Sequence, residues 1–360
     1  MKESCIYSSN KPPIAILVKN LTSGGAEKQS VLLALSLSEY CEVHYIIFNA
    51  NKIHEKYLVM LKGETNINVH LLYGSFLRRL KSLECCLLEN KINSIFSYLT
   101  MANVLACYIG KKTKVKNIYT GLRNAFLPLA KLFVDRWLVN YCATKGISNS
   151  FSGKQNFLEK GFDEKKIIVI PNCFTPILPF KEKHPQKYTT IITVGRFVPQ
   201  KDYETAIRAV AQLANKHKIR YIIVGYGELE LQIRHWVNMY GIDNISTIYI
   251  NPDNIAQLED EADIYFSTSL YEGTSNSIME GMNANLPIVC TNVGDNNQLV
   301  EDGKNGFICD VKDVESLTMA LSILCNDCAL RNAFGKVSKE KLEANYSVDY
   351  FRQQYLKLIH

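Results

Sequence analysis

Residues 267–287 read Ser-Thr-Ser-Leu-Tyr-Glu-Gly-Thr-Ser-Asn-Ser-Ile-Met-Glu-Gly-Met-Asn-Ala-Asn-Leu-Pro. They follow the apolar run 262–267, whose length and aromatic content mark a buried strand. Gly273, Thr274 and Ser275 then supply turn chemistry and a helix cap, so a helix starts near Ser275 and stops before Pro287, where strand 287–290 begins. The same alternation runs outward in both directions. Strands at 190–194, 220–224, 246–250 and 306–309 are separated by helices starting near Asp202, Gly227 and Asp313. In the first half, strands at 14–18, 42–48, 68–72, 94–98, 117–119 and 167–170 alternate with helical stretches such as 27–37. Strand and helix in alternation predict parallel sheets covered by helices on both faces.

A chain of 360 residues exceeds what one hydrophobic core usually supports. Pro171, Pro176, Pro179 and Pro185 crowd one segment, which places a linker at 171–187. The expected architecture is α/β: a doubly wound, Rossmann-like domain over 1–170, a second over 188–345, and a closing amphipathic helix within 346–360. Such domains bind ligands beyond the carboxyl ends of their strands, so the expected site is a central cleft faced by both.

Composition narrows the class. Hydrophobic residues make up 47% and charged residues 21%, as in globular proteins. The run 14–18 is too short for the core of a signal peptide. The apolar stretch 125–142 is broken by Lys131, Asp135 and Arg136, and reads as a buried amphipathic helix, not a bilayer span. Eleven scattered cysteines, with Cys85 and Cys86 adjacent, fit free thiols in a reducing cytoplasm; the lone pair Cys325 and Cys328 lacks the second pair a zinc site needs. The charge is uneven: the first 170 residues carry +11 and the remainder −5. Arg78, Arg79 and Lys81 lie beside Phe76, Leu77, Leu80 and Leu83, a basic, apolar-flanked segment of the kind that lies on an anionic membrane surface. The basic residues are not interleaved with aromatics, and no nucleic-acid partner is expected.

Four loops carry chemistry. After the first strand, Gly24 and Gly25 open a helix and let backbone N–H groups approach a phosphate. Arg196 and Lys201 sit in a strand-to-helix loop, where two cations can neutralise a diphosphate. Gly225 and Gly227 form a tight turn after strand 220–224, without the third glycine of a dinucleotide fingerprint. Glu272 stands at the turn before the helix near Ser275, and Glu280 lies about two helical turns further on. Two carboxylates so spaced can accept hydrogen bonds from hydroxyls on different parts of one elongated ligand, while Gly273, Thr274, Ser275 and Asn276 leave the helix start open to phosphate.

Taken in order, Gly24-Gly25-Ala26-Glu27, Gly195-Arg196 with Lys201, Gly225-x-Gly227, Glu272-x7-Glu280 and Gly303-x-x-Gly306-Phe307 closely resemble the family 4 glycosyltransferases of GT-B fold. The resemblance implies a retaining transfer from a nucleotide diphosphate sugar, UDP-linked by expectation, to a glycan or lipid-linked acceptor, with no metal or other cofactor. It places Arg196 and Lys201 on the donor diphosphate, Glu280 on the ribose, Glu272 near the donor sugar, and Gly24 and Gly25 near the phosphates. Many family members have a histidine where this chain has Arg123 and Asn124; arginine is no base at neutral pH, so a role for Arg123 is electrostatic or positional. Two alternatives share the frame: a sugar-nucleotide epimerase or phosphorylase, and a catalytically silent nucleotide-sugar-binding partner.

Overall fold

The structure is a computed structural model, and it describes residues 11–123 and 128–359. Asn124 and the first residues of the expected 125–142 helix lie outside the described residues. The chain divides into two compact units. One takes the described residues up to Cys173 together with those from Val348 onward; the other is Phe174–Ser347.

The first unit is a seven-stranded sheet: β1 (Pro13–Val18), β2 (Glu42–Ile47), β3 (Ile67–Leu71), β4 (Ser94–Tyr98), β5 (Asn117–Leu122), β6 (Lys145–Ser148) and β7 (Ile167–Val169). Every pairing is parallel, in the order β3-β2-β1-β4-β5-β6-β7. Its helices are α1 (Gly25–Leu37), α2 (Glu55–Lys62), α3 (Phe76–Glu89), α4 (Thr100–Lys112), α5 (Leu129–Trp137) and α6 (Phe151–Glu159). The second unit has β8 (Thr189–Val194), β9 (Ile219–Gly225), β10 (Ser246–Ile250), β11 (Ile264–Ser267), β12 (Ile288–Thr291) and β13 (Gly306–Cys309). They form a six-stranded parallel sheet in the order β10-β9-β8-β11-β12-β13. Around it stand α7 (Tyr203–Ala214), α8 (Glu230–Met239), α9 (Ile255–Glu261), α10 (Asn276–Asn283), α11 (Asn296–Leu299), α12 (Val314–Asn326) and α13 (Cys328–Tyr346). The last helix, α14 (Val348–Ile359), buries Phe351 and Tyr355 in the core of the first unit.

In each sheet the strand order reverses once, at β1/β4 and at β8/β11, and such a reversal opens a crevice beyond the strand ends. The helices are held down by apolar stripes of helical period. On α7 these are Tyr203, Ala206, Ile207, Val210 and Leu213, in one cluster with Leu317, Leu321 and Leu324 of α12. Each isoleucine, leucine or valine among them contributes about 1.5–3 kcal/mol on burial.

Three expectations are revised. The strand β6 escaped detection because Lys-Gly-Ile-Ser is short and carries two residues disfavoured in strands. The proline-rich segment has no regular secondary structure, yet it is fastened to the second unit. There Lys183 Nζ donates to the carbonyls of Asp260 and Ala262 at 2.6 and 2.7 Å, and the Leu178 N–H to Asn283 Oδ1 at 2.9 Å. The expected buried helix over 125–142 is α5 followed by a π-helical turn, Leu138–Cys142, and much of its apolar surface is uncovered. Leu132, Leu138 and Val139 face the core. Leu129, Phe133, Trp137 and Tyr141, four residues apart in turn, are 73%, 55%, 57% and 71% exposed. Among the described residues no helix is long and apolar enough to cross a membrane.

Candidate functional site

Parallel strands send all their carboxyl ends to one edge, and in the second unit the loops leaving β8, β9, β10 and β11 meet there. They enclose a cavity of about 370 Å³ lined by Gly195, Arg196, Gln200, Lys201, Gly225, Tyr226, Asn251, Pro252, Glu272, Thr274, Ser275, Asn276, Ser277 and Glu280, among others. Residues scattered over 86 positions of sequence thus become one site, and eight of the expected donor-binding residues stand on its wall.

Local chemistry sets each side chain. A 3-10 turn, Pro199–Lys201, follows β8 and carries Lys201 back toward the sheet. Its Nζ lies 2.6 Å from Glu272 Oε1, and both side chains are mostly buried, at 14% and 10% exposure. Ser269 Oγ donates to the same carboxylate oxygen at 2.8 Å. The loop that holds Glu272 is itself pinned: the Leu270 N–H donates to the Gln200 carbonyl, Gln200 Nε2 to the Tyr271 carbonyl, and Thr268 Oγ1 to the Lys201 and Asp202 carbonyls. Arg196 is exposed, and its guanidinium has no hydrogen-bond or ion-pair partner among the described residues. The site therefore offers one free cation and one that is paired with a carboxylate, an arrangement that an entering diphosphate can complete.

The start of α10 borders the same cavity. Ser275 caps it, its Oγ accepting from the Ile278 N–H at 3.4 Å, and Thr274 Oγ1 donates to Asp295 Oδ2 at 3.0 Å. Gly273 has no atom within 4 Å of where a Cβ would stand, so the approach to the helix start is open. Gly225 and Gly227 serve packing. A Cβ on Gly225 would fall 1.9 Å from the Gly195 carbonyl oxygen, and Gly227 adopts a φ of 147° with its Cα against the Phe197 backbone. These contacts let two loops cross at the cavity mouth. Gly227 and Gly273 lie beside the lining and not in it.

The remaining expected residues belong to the first unit. Gly24 and Gly25 open α1, Gly24 as its cap, with open space around the Gly25 Cα. A cavity of about 620 Å³ lies at the ends of β1, β4 and β5, walled by Lys19, Asn20, Glu27, Tyr98, Thr100, Arg123 and, from α5, Ala130, Lys131, Val134 and Asp135. Arg123 is a clamp. Its Nη1 donates to Asn172 Oδ1 at 2.8 Å, its Nη2 to the Tyr355 hydroxyl at 3.1 Å, and its guanidinium stacks 4.4 Å over the Tyr98 ring. Asp135 is buried against Thr100 and Asn103, and burial raises its carboxyl above the ordinary range. Of the basic trio on α3, Arg79 is folded over the Phe48 ring and bonded to the Phe48 carbonyl.

Sequence reading missed Gln200, Tyr226, Asn251 and Pro252. The Asn-Pro dipeptide at the end of a strand was a usable turn signal. It also missed Gly294, whose Cα lies so close to Glu272 that a Cβ would stand 2.2 Å from its carbonyl oxygen.

Comparison with known proteins agrees with this geometry. The family described as "Glycosyl transferases group 1" matches residues 174–341, nearly the whole second unit. A Campylobacter jejuni protein, GalNAc-alpha-(1->4)-GalNAc-alpha-(1->3)-diNAcBac-PP-undecaprenol alpha-1,4-N-acetyl-D-galactosaminyltransferase, is 24% identical over 96% of this chain and 98% of its own. A second from the same organism, N-acetylgalactosamine-N,N'-diacetylbacillosaminyl-diphospho-undecaprenol 4-alpha-N-acetylgalactosaminyltransferase, is 25% identical over 92% of this chain and 95% of its own. Anabaena HepE, solved in complex with UDP, superposes with a TM-score of 0.77 at 19% identity, covering 96% of this chain and 98% of that one. The two Rossmann-like units are those of a GT-B protein. Residues 174–341 carry the glycosyl transferases group 1 family, and the chain is a glycosyltransferase.

Proposed function

We propose that this enzyme is a retaining, metal-independent transferase that moves a sugar from a UDP-linked donor to a lipid-linked glycan in the assembly of a surface polysaccharide or glycoconjugate. The observation that carries the donor reading is the second-unit cavity, where Arg196 and Lys201 stand with Glu272, Glu280 and the start of α10. As the anomeric C–O bond breaks, its electron pair passes to the diphosphate. Arg196 and Lys201 stabilise that charge, Lys201 by exchanging part of its contact with Glu272. Glu280 accepts hydrogen bonds from the ribose hydroxyls, and Glu272 from those of the transferred sugar. The acceptor oxygen bonds to the anomeric carbon on the face the diphosphate leaves, and a departing phosphate oxygen takes its proton, so no protein nucleophile is needed. Gly24 and Gly25 leave the first N–H groups of α1 to an anion. Arg123 acts through position, fixing the end of β5 beside the first-unit cavity.

Two things support a lipid-linked acceptor. Both Campylobacter relatives are named for undecaprenol-linked substrates. In the first unit, α5 lines the cavity with Ala130, Lys131 and Val134, while Leu129, Phe133 and Trp137 on the adjoining stripe are uncovered. Aromatic side chains with Lys111, Lys131 and Arg136 close by suit the headgroup layer of an anionic membrane, which makes peripheral attachment part of this reading.

The test of the donor site is calorimetric titration of UDP in EDTA. The expected result is binding by the wild type and at least tenfold weaker binding by Glu280→Ala; equal affinities would remove Glu280 from the site.

A further inference from the structure

Behind α10 lies a second cavity of about 690 Å³, on the side of Glu280 away from the Arg196 loop. Ile255 and Glu280 line both cavities; the rear one adds Pro176, Leu178, Glu259 and Asn285. Its walls are largely apolar, yet two buried acceptors face no hydrogen-bond donor among the described residues: Glu259 Oε1 and Asn285 Oδ1. Glu259 is 4% exposed, the first of an acidic run, Glu259-Asp260-Glu261, whose other two members reach solvent. A buried carboxyl group without a partner is costly and calls for an explanation.

We propose that Glu259 is a positioning residue for donor binding, its buried carboxyl group orienting Glu280 toward the nucleotide from the cavity behind α10. The inference rests on the donor-site reading above. Three observations bear on it. Glu259 and Glu280 wall the same cavity, and Gly281, next to Glu280 on α10, packs against the ring of Tyr265 on β11. Burial first, and the Glu280 charge second, push the Glu259 carboxyl up to about 8, so at neutral pH it keeps its proton. No ion pair is formed by Glu259 among the described residues; Lys183 bonds to its backbone carbonyl and to those of Asp260 and Ala262. A protonated acid can donate to a nearby carboxylate, whereas two carboxylates repel, so the proton on Glu259 decides whether it draws Glu280 in or pushes it away.

The groups around Glu259 are Glu280 from α10, Asp260 on its own helix, Lys181 and Lys183 from the preceding segment, and Lys339 from α13. The last donates to Asn283 at the end of α10, and burial lowers it to about 8 as well. The experiment must separate these two. UDP affinity is measured by calorimetry from pH 7 to 9.5 in the full-length wild type, Glu259→Gln and Glu259→Leu, with thermal unfolding as the check on folding. The wild type should lose about fivefold in affinity as Glu259 ionises. Glu259→Gln, which keeps a neutral donor, should match the wild type at pH 7 and stay flat. Glu259→Leu should be flat as well, but weaker at pH 7. If the wild type and Glu259→Gln fall together, or if Glu259→Leu binds as well as Glu259→Gln at pH 7, the inference is overturned while the donor site stands. A wild type that binds no UDP at any pH would defeat the donor site itself.

Discussion

Separating Lys201 from Glu272 should destabilise the second unit and abolish turnover for two different reasons, which a double-mutant cycle can tell apart. The pair is close, 2.6 Å, and each side chain is about nine-tenths buried, so neither charge is well solvated once its partner is gone. Removing one member of a fully buried pair costs about 3–5 kcal/mol. Here residual solvent reaches both groups, and Ser269 still bonds to Glu272, which brings the expected cost of Lys201→Met to about 2 kcal/mol. Glu272→Gln should cost a similar amount, since it leaves the ammonium facing a neutral amide. For a unit of this size, that is a fall in Tm of about 4–8 °C. The double variant removes both charges and should be less destabilised than the sum of the singles by about 1–2 kcal/mol. All three should be inactive, because both groups line the proposed donor cavity. Thermal unfolding of the four proteins at one pH and ionic strength supplies the numbers. Additive losses, within about 0.3 kcal/mol, would show that the two groups do not stabilise one another.

Gly225→Ala puts a methyl group 1.9 Å from the Gly195 carbonyl oxygen and near the Phe197 ring, so it should cost about 3 kcal/mol and weaken UDP binding together with stability; a stable variant with normal affinity would contradict the crossing of the two loops. In the first unit, His44 Nδ1 and His70 Nε2 lie 3.0 Å apart, and burial lowers both rings below their ordinary value, against an opposing effect of Glu42 on His44. The folded state then binds fewer protons than the unfolded chain, so stability is full above about pH 6.5 and falls as the pH drops through it; Tm measured from pH 7.5 to 5 should show this, and His70→Asn should flatten the slope. Replacing Phe133 and Trp137 by Ser should reduce sedimentation with anionic vesicles at low salt, and equal sedimentation of variant and wild type would leave α5 a solvated helix.

Local chemistry was the most legible part. Helices were expected to start near Ser275 and Asp313, and each of these side chains caps its helix by accepting an N–H bond. Strand 94–98, strand 246–250 and strand 306–309 were readable to the residue, because a short apolar run bounded by polar residues has one reading in an alternating chain. β5 ran three residues past its expected end, since Thr120-Gly121-Leu122 reads as a turn until the neighbouring strands bury it. Long-range pairing was the illegible part. Lys201 and Glu272 were each assigned a ligand, but nothing in a sequence says that side chains 71 positions apart face one another. Arg123 is explained by Asn172 and Tyr355, which only the fold brings near. Glu259 looks like one member of a solvated acidic run, and its burial follows from how α9 lies on α10.

The most direct test of the central claim is a panel of UDP- and GDP-linked sugars incubated with the enzyme and a polyprenyl-diphosphate-linked glycan in EDTA, with the anomeric configuration of the product read by NMR. The expected result is transfer from a UDP-sugar, undiminished by EDTA, with the donor configuration kept. An inverted product, or activity that EDTA abolishes and a divalent metal restores, would contradict it.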